Sequence, residues 1–415
     1  MSRRRVVITG LGAVTPLGLT APDSWQAVRE GVCGIGPITQ YNAAGKKVTL
    51  AAEVKGFDPG AYFSPQAAKH MGRFTQFALT AAKEALEDAG LLPLAEDPGR
   101  CGVIVSSGIG GQAITESECL KGAERNWDRV SPYYIPTAIS NMAAGQIAIY
   151  AGFQGMCSCP VTACAGGTNA VGDAFRYIRD GYADVMLTGG TEASITPLSV
   201  GGFTSMKALS QSQDPNRASI PFDKERGGFV MGEGAGILLL EELEHALARG
   251  AGIYGEIAGY GASCDAYHMT APRPDGSGGA RAMALALADG CVSPEEVDYI
   301  NAHGTSTPLN DAGETAAVKQ VFGPCAGRLL VSSTKSMTGH MLGAAGAVEA
   351  IFTALALRDS FAPATINYRV PDEACDLDVV PNQGREAPLR CALSNSLGFG
   401  GHNACILLKR WEGRP

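Results

Sequence analysis

The sequence predicts a layered α/β protein with largely buried sheets, and three observations carry that prediction. Short apolar runs of strand length alternate with segments of helical period along the whole chain. Apolar residues make up 45% and charged residues 18% of the 415, a core-rich balance that excludes a disordered chain. Many of the 54 glycines fall in short turns between apolar runs, as at Gly189-Gly190, Gly227-Gly228 and Gly400-Gly401. A chain this long exceeds one ordinary core and predicts two domains or one large double domain.

The elements follow in order. Residues 4–10 read as a first strand, 75–89 as a helix and 101–106 as a strand. An apolar strand is expected to end at Ala163, followed by an amphipathic helix whose apolar face is Ala170, Val171, Ala174, Phe175 and Ile178. Residues 183–188 and 236–241 read as further strands. Arg249-Gly250-Ala251-Gly252 marks a junction, so the expected halves are 1–252 and 253–415. The pattern then restarts: strand 253–260, helix 279–288, strand 297–301, helix 312–321, strand 329–332, a long helix 342–357, and closing strands 391–395 and 404–408. Residues 371–390 read as an irregular surface connection. The two halves look like one repeated layout with diverged sequences.

Several classes are excluded. The net charge of −8 and the lack of a basic stripe argue against general nucleic-acid binding. The twelve cysteines show no disulfide framework, and the Cys157-x-Cys159 pair has no second pair to complete a zinc site, so no metal is expected. The basic start, Arg3-Arg4-Arg5, precedes only three apolar residues before Thr9 and Gly10, which favours a buried strand over a signal peptide. No run reaches transmembrane length, so no membrane association is expected. The expected compartment is reducing cytoplasm.

Four stretches carry chemistry. Cys164 lies in Pro160-Val161-Thr162-Ala163-Cys164-Ala165-Gly166-Gly167-Thr168, just before a helix whose free N–H groups and dipole favour thiolate. His303 lies in Asn301-Ala302-His303-Gly304-Thr305-Ser306-Thr307-Pro308, with Asp311 and Glu314 following. Those two carboxylates suit either a helix-capping role or a supporting role at a site. Ser332-Ser333-Thr334-Lys335-Ser336-Met337-Thr338-Gly339-His340 brings Lys335 and His340 into one loop ahead of an apolar helix. Glu349 on that helix is enclosed by apolar residues and needs a partner, either Lys335 or a bound monovalent cation. Asn395-Ser396-Leu397-Gly398-Phe399-Gly400-Gly401-His402-Asn403 could be a tight turn or could supply backbone N–H groups to an oxyanion hole.

Together, Cys164, His303, Lys335, His340 and the Gly-Phe-Gly-Gly loop closely resemble the beta-ketoacyl-[acyl-carrier-protein] synthases, nearest to the synthase II branch of bacterial fatty-acid synthesis. The resemblance runs from Val7-Ile8-Thr9-Gly10 to Leu407 and includes Pro221-Phe222-Asp223-Lys224-Glu225-Arg226 and Gly228-Phe229-Val230-Met231-Gly232-Glu233-Gly234. It implies a thiolase-like fold, two related halves in a five-layer αβαβα arrangement, working as a homodimer. It implies that Cys164 accepts the acyl group and that His303 and His340 promote decarboxylation of a malonyl thioester. Lys335 would orient that pair, with Glu349, Asp311 and Glu314 in support. Phe399 would be the gate, and its N–H with that of Cys164 the oxyanion hole. Thr305, Thr307 and Thr270 would contact substrate, and Ile109 and Phe203 would line the acyl pocket. Lys69, Lys207 and Arg129 would dock an acyl carrier protein. Phosphopantetheine arrives on that carrier, so no cofactor of the protein's own is implied. Leu397, His402, Ala165 and Gly166 depart from residues common in the family.

The implied chemistry is decarboxylative condensation of an acyl thioester with malonyl-[acyl-carrier-protein]. A thiol is a good nucleophile toward thioesters. Two neutral imidazoles can donate N–H to the enolate left when carbon dioxide departs, and Lys335 would help keep them neutral. A thiolase would carry a second catalytic cysteine in the loop where Asn395 and Phe399 stand. An initiating condensing enzyme would lack the second histidine, His340. A type II polyketide ketosynthase shares the same residues and remains the enzymatic alternative. A non-catalytic chain-length-factor-like subunit would lack Cys164.

Overall fold

The computed structural model describes residues 3–91 and 97–413. Its strands are β1 Val6–Val14, β2 Gly36–Pro37, β3 Leu50–Ala51, β4 Cys101–Ser106, β5 Cys157–Ser158, β6 Val185–Glu192 and β7 Gly234–Glu242. The remainder are β8 Gly255–Cys264, β9 Tyr299–Asn301, β10 Leu330–Ser332, β11 Phe361–Ala362, β12 Arg385–Glu386, β13 Cys391–Gly398 and β14 His402–Arg410. Ten of these join in one sheet, in the order β10-β9-β13-β14-β8-β1-β7-β6-β4-β5.

Two groups of five strands meet at an antiparallel seam between β1 and β8. Outward from β1, the pairings to β7 and β6 are antiparallel and those to β4 and β5 are parallel. Outward from β8, the pairings to β14 and β13 are antiparallel and those to β9 and β10 are parallel. The same succession on both sides is the structural form of the repeat.

The helices supply the other layers. Helices Arg73–Asp88 and Met142–Ala151 share a core with the outer face of the first group, through residues such as Phe77, Val103 and Leu239. Helices Ser277–Asp289 and Pro308–Phe322 do the same for the second group, through Met283, Val318 and Leu393. Between the two groups, helices Gly166–Arg179 and Ala345–Asp359 share one core with both, including Ile8, Leu238, Ile257 and Ile406. These are the five layers of the thiolase-like fold. Helix Ala345–Asp359 is buried without interruption from Ala345 to Leu357, which the apolar sequence of that run permits and its one carboxylate, Glu349, must survive.

Most expected elements are present with shifted ends. The strand expected to end at Ala163 is not: pairing stops at Ser158, and Ala163–Ala165 forms a 3₁₀ turn. Pro160 lacks a ladder donor and Ala163 takes a left-handed φ of 50°, so the chain leaves the sheet before the cysteine. The stretch 371–390 is less superficial than expected, because Cys375, Val379, Val380 and Leu389 are buried. The Lys335 loop contains a short helix, Lys335–Thr338, and is fully buried. No helix among the described residues is long and apolar enough to cross a membrane.

Candidate active site

Cys164 sits on the 3₁₀ turn that leads into helix Gly166–Arg179. The apolar face expected for that helix is buried, which fixes the turn against the central layer. Gly398 on β13 packs against this turn. A Cβ there would lie 2.9 Å from the Thr162 carbonyl oxygen, 3.1 Å from the Ala165 nitrogen and 3.2 Å from the Cys164 nitrogen. Only glycine permits this approach, and it brings the Phe399 N–H, with the Cys164 N–H, to bear on the thiol.

Cys164 lines a cavity of ≈ 90 Å³ together with His303, His340, Thr305, Thr307, Phe203, Thr270, Leu397 and Phe399. This space holds a few waters but no extended acyl chain, so the aromatic walls must move to admit one. The two imidazoles stand edge to face, centroids 5.3 Å apart at 85°. Phe229 packs edge-on to His340 at 5.2 Å, and Phe203 reaches both Phe229, at 5.3 Å, and Phe399, at 6.3 Å. Phe203, Ile109 and Cys164 all pack on one apolar cluster containing Val200, Leu209 and Leu342. Ile109 thus lies in the apolar wall behind the thiol rather than at the cavity mouth.

Burial decides the protonation states. It lowers both histidines well below 6.5, with the Lys335 charge acting in the same direction. The rings are therefore neutral, as expected, with burial outranking Lys335 as the cause. Each Nδ1 is buried without a partner among the described residues. The expected thiolate is corrected. Burial pushes the Cys164 thiol up to about 12, and the pull of Lys335 and of the two N–H groups does not offset it.

Lys335 and Glu349 form a buried ion pair, so Lys335 is the partner that Glu349 requires. Burial raises Glu349 to about 7, and Lys335 opposes that rise. Glu349 Oε2, Asn301 Oδ1 and Ser394 Oγ are buried without partners. Asn301 stands beside Ser394 in the β9–β13 ladder, and its amide donates to the Glu349 backbone carbonyl at 3.4 Å. A carboxylate oxygen, an amide oxygen and a hydroxyl, each buried and unpartnered, form a donor set that suits a monovalent cation. No cluster of three or more His, Cys, Asp or Glu fit for a metal occurs among the described residues.

Asp311 and Glu314 do not form a capping box. The cap of helix Pro308–Phe322 is Thr307, whose side chain makes no capping bond. Instead both carboxylates accept from the backbone of the histidine loop. Glu314 takes the N–H groups of His303 and Gly304, each at 2.8 Å, and Asp311 takes those of Thr305 at 3.0 Å and Phe222 at 2.9 Å. Ser306 between them has a φ of 69°, a conformation this bracing holds in place. Thr305 and Thr307 hydrogen-bond each other at 2.9 Å across the cavity rim. Lys69, Lys207 and Arg129 are exposed, on the short helix Pro65–Lys69, in the turn after helix Pro197–Ser205 and on the 3₁₀ turn Trp127–Arg129, and Lys207 shares a groove with Lys46 and Lys47.

Sequence reasoning missed Phe229, which orients His340, and Asn395, whose amide donates to Glu314 at 3.2 Å. Both lie in stretches singled out as motifs, but no periodicity distinguishes a ring that braces a histidine from an ordinary core aromatic.

Models of two family domains match the chain: the beta-ketoacyl synthase N-terminal domain over residues 3–246 and the C-terminal domain over residues 254–369. A 3-oxoacyl-[acyl-carrier-protein] synthase 2 from Synechocystis sp. is 52% identical over 413 residues, covering 99% of both chains. The protein of the same name from Staphylococcus aureus is 49% identical over 409 residues, again covering 99% of both. Among solved structures, a beta-ketoacyl synthase from Burkholderia phymatum superposes with a TM-score of 0.91 at 34% identity, covering 99% of this chain and 100% of that one. A type II polyketide-synthase acyl-carrier protein in complex with its ketosynthase, bound to the hexaketide, gives 0.91 at 39% identity, with 99% and 100% covered. With both family domains matched in order on a thiolase-like fold, this chain belongs to the beta-ketoacyl synthase family.

Proposed function

We propose that this protein catalyses the decarboxylative condensation of an acyl thioester with malonyl-[acyl-carrier-protein], giving 3-oxoacyl-[acyl-carrier-protein] in fatty-acid elongation. The observation that carries the reading is one small cavity holding a thiol, two backbone N–H groups aimed at it and two neutral imidazoles. In the first step Cys164 Sγ attacks the acyl carbonyl, and the Cys164 and Phe399 N–H groups stabilise the tetrahedral oxyanion. The thiol proton ends on the departing pantetheine thiol, so thioester exchange balances without a separate base.

The second step uses the same cavity. The malonyl carboxylate leaves as carbon dioxide, and its electron pair becomes an enolate whose oxygen accepts from His303 and His340. The enolate carbon attacks the acyl-Cys164 carbonyl, and the released sulfur takes up a proton. Lys335, paired with Glu349, disfavours imidazolium and so preserves the N–H donors. Asp311 and Glu314 fix the His303 loop, and Thr305, Thr307 and Thr270 contact the pantetheine arm. Phe399 gates the cavity, and Ile109 and Phe203 line the acyl pocket. A monovalent cation between Asn301, Glu349 and Ser394 would supply fixed positive charge that completes the buried oxygens.

An acyl carrier protein is the partner, docked through Lys69, Lys207 and Arg129. The working form is a homodimer in the cytoplasm, its halves dividing at 252/253. The short edge strand β5 supports the dimer, as do the exposed apolar residues Ile149, on the helix packed against it, and Val161, three residues beyond it. The relatives at 49–52% identity favour fatty-acid elongation over the polyketide reading, whose solved neighbour stands at 39%.

The test separates the half-reactions. Cys164→Ala abolishes condensation while retaining malonyl decarboxylation, and His303→Ala retains acylation while losing decarboxylation. Elongation by Cys164→Ala, or normal decarboxylation by His303→Ala, overturns the assignment.

A further inference from the structure

The mechanism leaves one deeply buried carboxylate near the thiol unused. Glu192 ends β6 and is fully buried. It has no ion-pair partner among the described residues, yet five donors converge on it. Oε2 accepts from the N–H groups of Gly108 at 2.8 Å and Gly343 at 3.1 Å. Oε1 accepts from the Ile109 N–H at 3.2 Å, the Ser107 hydroxyl at 3.2 Å and the Ser194 hydroxyl at 3.1 Å.

The donors come from two segments with different tasks. Residues 107–110 carry Ile109 into the apolar wall behind Cys164. The turn Leu342–Ala344 carries Leu342 into the same wall and directly follows His340. Leu342 has a φ of 47°, which needs an external hold. The segments touch closely: a Cβ on Gly343 would lie 2.5 Å from the Gly108 nitrogen and 3.0 Å from Glu192 Oε2. A buried anion bonded only to N–H and O–H donors is costly unless every donor is kept, so the arrangement is rigid.

We propose that Glu192 is a positioning residue that clamps the Ile109 loop to the Leu342 turn and thereby sets acyl chain-length selectivity. The proposal deepens the condensing-enzyme reading and rests on it for the meaning of the pocket. Burial raises Glu192 above the ordinary carboxylate range, and its bonds from Gly108, Gly343, Ile109 and Ser194 oppose that rise.

The test uses the full-length protein. Glu192→Gln removes the charge and sets an amide N–H2 against either the Ile109 N–H at Oε1 or the Gly108 and Gly343 N–H groups at Oε2, so at least one backbone bond is lost, while the two hydroxyls can turn to accept. Hydrogen exchange at the amides of Gly108, Ile109 and Gly343 is expected to quicken about tenfold, as losing a charged hydrogen bond implies. The ratio of kcat/KM for long over short acyl carriers is expected to change by a similar factor, with the effect in KM. Ser194→Ala removes one donor and leaves the charge, so it should shift the same ratio in the same direction by a smaller amount. Should Glu192→Gln fail to fold, Ser194→Ala alone decides. A uniform loss of kcat at every chain length overturns the proposal, as does unchanged exchange at the three amides. Failure of Cys164 to acylate in the unsubstituted protein would instead strike the functional reading, while the exchange measurement still judges the clamp.

Discussion

Gly398→Ala probes the contact on which the acylation chemistry depends. The added Cβ meets three main-chain atoms at 2.9, 3.1 and 3.2 Å, and ordinary contact begins at 3.4 Å. No side chain can rotate to relieve it, so the end of β13 and the Cys164 turn must part by about half an ångström. Gly398 has no left-handed φ, so alanine adds volume without backbone strain. Overpacking of this kind costs roughly 1–3 kcal/mol of stability. A misplacement of 1 Å can cost about a hundredfold in rate, so half of that predicts roughly a tenfold loss of acylation. Decarboxylation depends on the histidine pair and should stay within about twofold, since those rings gain no new contact. Rapid-quench mass spectrometry of acyl-Cys164 measures the first quantity, carbon dioxide release the second and thermal unfolding the third. Gly327→Ala, with no atom within 4 Å of the added carbon, is the neutral control. Acylation at full rate in a destabilised Gly398→Ala protein would refute the role of the Phe399 N–H. Equal loss of both half-reactions would refute the separation of the two sets of donors.

Three further outcomes are expected. Because the Cys164 thiol is pushed up to about 12, its iodoacetamide alkylation, followed at the peptide level, should keep rising with pH through 10; a plateau below pH 8 would mean a preformed thiolate. Ile109→Phe should retain acylation by chains of about four to six carbons and lose longer ones, because a packed wall absorbs added volume poorly, whereas Phe399→Ala should slow all lengths alike; an even acyl-enzyme mass profile for Ile109→Phe would remove Ile109 from the pocket. Reversing Lys69 and Lys207 to Glu should raise KM for the acyl carrier protein and flatten its salt dependence while sparing small acyl-pantetheine substrates; equal loss with both would mark misfolding.

The sequence made the alternation of layers legible because buried strands such as Cys101–Ser106 and amphipathic helices such as Gly166–Arg179 carry their period in their side chains. The reactive groups were legible because Cys164, His303 and His340 sit in glycine- and hydroxyl-rich loops that no core requires. What escaped depended on the third dimension. The turn at Ala163 looked like strand because its residues are apolar, and only its left-handed φ betrays it. The thiol looked activated because a helix start is visible in sequence, whereas the desolvation that outweighs it is assembled from distant elements. Asp311 and Glu314 carried a capping pattern, yet the partners that they chose lie upstream in the His303 loop. Glu192 gave one unheeded signal: a lone carboxylate ending a strand that is buried throughout.

The antiparallel seam between β1 and β8 has a consequence for how such a molecule can be altered. The thiol is furnished by one strand group and both imidazoles by the other, so their spacing is held through the three rungs from Val6 to Ile8 against Gly255 to Ile257, the two central helices, and the contacts that Gly398 and Glu192 make across the halves at the site itself. Exchanging one half for that of a relative would transplant a nucleophile or a histidine pair intact but import a foreign joint between them. Chimeras of this protein should therefore fold more readily than they react, unless β1, β8 and the helix Ala345–Asp359 travel as a matched set.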